Sequence, residues 1–142
     1  MNSVAGKVVF ITGGARGIGA DVARRLHRKG AMLVLTDIDA VPLAELSAEL
    51  GGEAKVLTAV ADVRDLAAMQ AAADLAVERF GGIDVVVANA GIASFGSVLH
   101  VDPEAFKRLL DINVRGVFHT VRATLPSIIG RRGYILIVSS FA

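Results

Sequence analysis

The sequence contains no cysteine in 142 residues, which excludes a disulfide scaffold, a thiolate nucleophile and a cysteine metal site. Aromatic residues are scarce, 5% against 54% hydrophobic residues overall, so a core built from this chain is aliphatic. That balance suits helices packed on buried parallel strands better than an aromatic-rich β-sandwich. Charge of one sign is lacking too. Fifteen Lys and Arg offset fourteen Asp and Glu, interspersed for a net +1, which argues against a nucleic-acid partner. No apolar run approaches a membrane span, and the opening MNSVAGK has no apolar h-region. The expectation is a cytoplasmic protein with no membrane or nucleic-acid partner.

What the sequence does have is alternation. Val8–Ile11, Met32–Leu35, Val56–Val60, Val85–Ala88 and Ile135–Val138 are short, mostly β-branched apolar runs that predict strands. Between them, apolar residues recur at helical spacing. Val22 and Leu26 mark one face, Leu43, Leu46 and Leu50 a second, and Met69, Ala73 and Val77 a third. Phe106, Leu110, Val114, Val117, Val121 and Leu125 predict one long helix with an apolar stripe. Gly30, Gly51–Gly52 and Gly81–Gly82 are helix stops. Strands alternating with helices imply right-handed crossovers and an α/β, Rossmann-like, doubly wound parallel sheet, with residues 1–142 as one domain.

The first strand runs into TGGARGIG, Thr12 to Gly19, and that loop runs into a helix. Such a junction offers free backbone N–H groups to an anion. The loop has four glycines, Gly13, Gly14, Gly17 and Gly19. In such a turn one glycine makes the bend, one lets the backbone approach a pyrophosphate, and one lets the helix pack close to the strand. Asp37 ends the second strand 18 residues beyond Gly19, near the spacing of a carboxylate that binds an adenosine ribose. The plainer reading of Asp37 is a helix N-cap, a role that Asp39 suits better. A ribose carboxylate repels a 2′-phosphate, so NAD is expected, with NADP the less favoured cofactor. Arg16 then reads as surface or phosphate-facing.

These residues resemble the short-chain dehydrogenase/reductase family. TGGARGIG is similar to its T-G-x-x-x-G-x-G cofactor loop, and the resemblance recurs in order along the chain. ADV, Ala61–Val63, matches the Asp–aliphatic pair after the third strand; ANAG, Ala88–Gly91, resembles N-N-A-G with Ala88 replacing the first Asn. NVRG, Asn113–Gly116, resembles N-V-x-G, and GYILIVSS, Gly133–Ser140, resembles the strand that ends at the catalytic serine. The resemblance implies cofactor contacts from Gly13, Arg16, Gly17, Ile18 and Gly19, and adenine contacts from Asp62 and Val63. It implies that Asn89, Ala90 and Gly91 pass beneath the cofactor. It makes Ser140 the carbonyl-binding serine and Asn113 the asparagine that holds a water in the proton relay. The plainer readings are a strand-end turn serine and a structural hydrogen bond to a neighbouring strand.

The resemblance departs at the family's Tyr-x-x-x-Lys. The one tyrosine, Tyr134, has Val138 four positions on. The expectation is therefore a fold truncated after its fifth strand, an NAD-dependent oxidoreductase of alcohols and carbonyls in its complete form but inactive as these 142 residues. The alternative is a non-catalytic dinucleotide-binding module. The apolar edge strand and long-helix stripe point to a homo-oligomer or a piece of a longer protein. His27, His100 and His119 make no metal set, His119 reads as packing or surface, and Arg131–Arg132 reads as a solvated loop.

Overall fold

A computed structural model describes residues 3–52 and 54–140. Five strands, β1 (Val8–Thr12), β2 (Met32–Asp37), β3 (Val56–Val60), β4 (Val85–Ala88) and β5 (Tyr134–Ile137), form one parallel sheet in the order β3-β2-β1-β4-β5. The order reverses between β1 and β4. At such a switch point the connections leave to opposite faces and a crevice opens beyond the strand ends. β1 and β4 are buried along their whole length, as apolar runs covered on both faces must be.

Helices cover both faces. α1 (Gly17–Arg28) and α2 (Ala40–Glu49) place Ala20, Ala23, Leu43 and Leu46 against Val9, Ile11, Leu33 and Leu35. On the other face, α3 (Leu66–Phe80) and α5 (Gly116–Arg131) place Met69, Ala73, Ala123 and Ile128 against Val8, Phe10, Val34 and Val86. Alternate residues of each strand thus feed opposite cores, as the two-residue side-chain period requires. α3 ends at Gly81, whose left-handed φ of 77° closes the helix with a bond to the Val77 carbonyl. The other glycine stops also fall just past helix ends, at Gly30 and Gly51.

Four local expectations need correction. The predicted long helix over Phe106–Leu125 is α4 (Pro103–Leu110), a π-helical turn (Asp111–Arg115) and α5. Its predicted apolar stripe is not the buried face. Phe106, Leu110, Val114 and Leu125 are exposed, as is Phe118, while Gly116, Thr120, Ala123, Thr124 and Ile128 are buried. Close packing explains the choice, because a Cβ at Gly116 would lie 2.5 Å from Val63 Cγ2. The threonines need no outside partner. Thr120 Oγ1 donates to the Gly116 carbonyl and Thr124 Oγ1 to the Thr120 carbonyl, each at 2.8 Å. β5 begins one residue early, at Tyr134, although Val138 still donates to the Ala88 carbonyl at 3.0 Å.

The fourth correction is Arg131, which is no loop residue. It ends α5, with Nη1 3.9 Å from the carboxylate of buried Asp84. Asp84 Oδ2 accepts the Val8 backbone N–H at 2.9 Å, and Lys7 Nζ lies 3.6 Å from Oδ1. The carboxylate pins the starts of β1 and β4 at the end of the sheet opposite the crevice.

Candidate functional site

The crevice is built around the end of β1. Thr12 Oγ1 accepts the backbone N–H groups of Asn89 and Ala90 at 3.0 and 3.1 Å. Asn89 Nδ2 donates back to the carbonyls of Thr12 and Gly13, both at 3.1 Å. These four bonds lock β1 to β4 where the strand order reverses. The glycines divide by role. A Cβ at Gly13 would lie 2.9 Å from Ala90 Cα, and one at Gly19 would collide with the Gly13 carbonyl and Asn89 Nδ2, so both allow close chain approach. Gly17 has a left-handed φ of 52°, and a Cβ there would meet nothing within 4 Å. It faces open space at the N-terminus of α1.

That space is a cavity of about 410 Å³, within the range of small-molecule sites. Gly13, Arg16, Gly17 and Ile18 line it from the first turn, Asp37 and Ile38 from the end of β2, and Ala61–Arg64 from the end of β3. Asn89–Ile92, Arg108 and Ile112 complete the wall. Every expected cofactor contact except Gly19, which lies beneath the turn, therefore reaches one cavity.

Asp37 is half-buried and oriented by the backbone. Its Oδ2 accepts the Ala15 N–H at 3.0 Å and its Oδ1 the Asp39 N–H at 3.2 Å. Asp39 occupies the N-cap position of α2, but its side chain caps no amide. It lies instead 3.2 Å from Arg16 Nη1, which corrects the capping role expected of Asp39, while Arg16 stays an exposed residue that lines the cavity. At the end of β3, Arg64 grips Asp62: Nη2 donates to Oδ2 at 2.6 Å and Nε to the same oxygen at 2.9 Å. The Arg64 backbone N–H adds a bond to Oδ1 at 2.8 Å. Hydrogen bonding from the Arg64 side chain holds the Asp62 carboxyl below the usual aspartate range, against the opposing pull of burial.

Val63 is held from behind. His119 Nδ1 lies 2.8 Å from the Val63 carbonyl, and since a carbonyl only accepts, that nitrogen carries hydrogen and donates. His119 thus fixes a residue of the cavity wall.

Asn113 and Ser140 do not line the cavity. Asn113 sits in the π-helical turn, where Oδ1 accepts the Ile92 N–H at 2.9 Å and Nδ2 donates to the Ile92 carbonyl at 2.8 Å. Its amide is paired, as a half-buried polar group must be, and it fastens the loop after β4. Ser140 is exposed beyond the carboxyl end of β5. Among the described residues, no group of three or more His, Asp or Glu side chains is placed to hold a metal, and no helix is long and apolar enough to cross a membrane.

Residues 7–142 match the family model described as short chain dehydrogenase. The chain belongs to that family. It is 43% identical over 142 residues to oxidoreductase UcpA of Salmonella typhimurium, covering 99% of this chain and 54% of that protein. Among solved structures it resembles a 3-ketoacyl-(acyl-carrier-protein) reductase from Brucella melitensis complexed with NADH, at 35% identity and a TM-score of 0.90. That match covers 97% of this chain and 59% of the other. A short-chain dehydrogenase/reductase from Burkholderia phymatum in complex with NAD matches at 32% identity and a TM-score of 0.92, over 99% and 51% of the two chains. The chain thus spans about half the length of the family members it matches.

Sequence reasoning missed Ile38, Arg64 and Arg108 in the cavity wall and His119 behind it. Ile38 and Arg64 stand next to residues already singled out, so adjacency was their available signal. Arg108 and His119 arrive from α4 and α5 through tertiary packing, which no local pattern encodes.

Proposed function

We propose that the chain binds NAD(H) in the switch-point cavity and forms the nucleotide-binding portion of an oxidoreductase acting on a small alcohol or carbonyl. The observation that carries this reading is the pairing of an open α1 N-terminus at Gly17 with the Asp37 carboxylate across the same cavity. The turn from Gly13 through Arg16, Gly17 and Ile18 to Gly19 would hold the pyrophosphate on backbone N–H groups, a favourable place for an anion. Asp37 would accept both ribose hydroxyls. Asp62 and Val63 would meet the adenine, and Asn89, Ala90 and Gly91 would support the cofactor from below. That solved relatives carry NADH and NAD supports the same assignment.

The bound nicotinamide would supply a hydride acceptor or donor. The chain's own part is orientation. The Ser140 hydroxyl would donate a hydrogen bond to the substrate oxygen, and Asn113 would hold a water in the proton relay while its side chain braces Ile92. These 142 residues contain no Tyr-x-x-x-Lys, since Tyr134 is followed four positions on by Val138. Loss of a general acid costs on the order of 10²–10⁴-fold in rate, so on its own the chain is proposed to bind without turnover. The second reading is a dinucleotide-binding module without catalysis. We also propose a cytoplasmic setting, in keeping with the lack of cysteine, and self-association through the apolar stripe of α4 and α5.

The test pairs calorimetry with an assay. NADH is titrated into the purified chain, and the same chain is assayed for NAD-dependent oxidation of a panel of alcohols. Saturable binding without turnover supports the proposal. No binding overturns both readings, and turnover overturns the assignment of the proton donor to a residue outside this stretch.

A further inference from the structure

Beside the lining residue Ile38, just outside the cavity, stands a carboxylate that the dinucleotide reading leaves without a task. Asp39 stands at the N-cap of α2, where an aspartate ordinarily accepts the first free helix amides. Asp65 and Asp102 do so at the same position of α3 and α4, each taking two backbone N–H groups. Asp39 takes none. Its side chain turns to the glycine loop instead, with Oδ2 3.2 Å from Arg16 Nη1, while its backbone N–H donates to Asp37 Oδ1 at 3.2 Å. One residue is therefore tied through its backbone to the carboxylate at the ribose position and through its side chain to the one cation of the loop.

We infer that Asp39 is a specificity-determining residue, which holds the Arg16 guanidinium away from a ribose 2′-phosphate and so keeps NAD(H) preferred over NADP(H). This rests on the dinucleotide reading of the site and adds to it a residue that touches no cofactor. The physical argument is one of competition. An arginine binds a phosphate through short, charge-assisted, often bidentate hydrogen bonds. Arg16 lines the cavity and is the cation of the loop that could reach such a group. To do so it must leave Asp39, and the phosphate must then settle beside two carboxylates, Asp37 and Asp39. Another cation lining the cavity, Arg64, is committed to Asp62 by its fork of hydrogen bonds. With side chains 69% and 45% exposed, the Arg16–Asp39 pair adds little to stability. Its effect is on what Arg16 is free to bind. Removing the Asp39 charge changes the balance of Asp37, Asp39 and Arg16 from −1 to 0 and frees the guanidinium in the same step.

The experiment titrates NADH and NADPH into the chain and into its Asp39→Asn, Arg16→Ala and doubly substituted forms. Asparagine preserves the size of the side chain and its capacity to cap α2. Asp39→Ser serves as a second variant on the same footing. The expected result is a relative gain in NADPH affinity of at least about tenfold for Asp39→Asn, the lower end of the scale of one charge-assisted contact. That gain should disappear when Arg16 is alanine. An unchanged NADPH-to-NADH ratio in both Asp39 variants overturns the inference. So does an equal gain in the Arg16→Ala background, which would mean that Asp39 acts by its own charge and not through Arg16. Failure of the unmutated chain to bind either dinucleotide would instead remove the reading on which the inference stands.

Discussion

Asn113 clasps Ile92 from both sides of one peptide position, accepting its N–H at 2.9 Å and donating to its carbonyl at 2.8 Å. The side-chain amide thereby imitates a neighbouring strand and holds the loop after β4 against the π-helical turn. Asn113→Ala would leave two half-buried backbone groups without these partners. The expected cost is about 1–3 kcal/mol, read as a lower urea midpoint in equilibrium unfolding. An unchanged midpoint would show that the clasp contributes nothing.

Gly17 separates binding from folding. Its side-chain position is open, so a valine there projects into the cavity, at a strain cost of about 1–2 kcal/mol from its left-handed φ. Gly17→Val should fold, by far-ultraviolet circular dichroism, and lose at least about tenfold in NADH affinity. Gly19→Ala should behave otherwise and destabilise the chain, because its methyl group meets the Gly13 carbonyl and Asn89. Undiminished binding by a folded Gly17→Val chain would move the phosphate elsewhere.

How far the site was legible follows from where its information lies. The glycine turn, Asp37 and the strands are local patterns: apolar runs, a loop with four glycines and a carboxylate at the right distance. The stripe from Phe106 to Leu125 has helical spacing too, yet it faces outward. Periodicity cannot choose between two faces of a helix when the buried one is made of Gly116, Thr120, Ala123 and Thr124, residues that read as polar or neutral. The π-helical turn carries Asn113, whose side chain bonds to Ile92, 21 residues away, a contact no local pattern encodes. Asp39 has the residue type and position of an N-cap, and only the placement of Arg16 shows that its side chain is used elsewhere.

The Asp62–Arg64 pair gives a pH prediction. Arg64 lowers the Asp62 pKa in the folded chain relative to the unfolded one. Its contribution to stability is therefore full above the unfolded value of about 3.9 and is lost as pH falls through the lower folded value. The groups are partly exposed, so the contribution stays within about 0–1 kcal/mol. Following the Asp62 carboxyl by NMR, Arg64→Ala should raise the titration midpoint toward 3.9. The same midpoint in both chains would contradict the assignment.

The stripe of α4 and α5 leaves Leu110 42%, Phe118 56% and Ile129 68% exposed, and contiguous exposed apolar residues mark interaction surfaces. The chain should sediment as a species heavier than a monomer, and Leu110→Ser with Phe118→Ser should shift it toward the monomer. A monomer at all concentrations would contradict self-association.

The most direct test of the central claim is a side-by-side titration of NADH and NADPH into the unmutated chain and into Asp37→Ser. Asp37 is oriented by the N–H groups of Ala15 and Asp39, so under the proposed reading its carboxylate would meet a bound ribose already placed. Charge-assisted bonds of this kind are worth about 1.5–3 kcal/mol, or roughly ten- to a hundredfold in affinity. The account predicts that NADH binds more tightly than NADPH by about that factor, and that Asp37→Ser narrows or reverses the difference. Equal affinities for the two dinucleotides in the unmutated chain, or no binding of either, would contradict it.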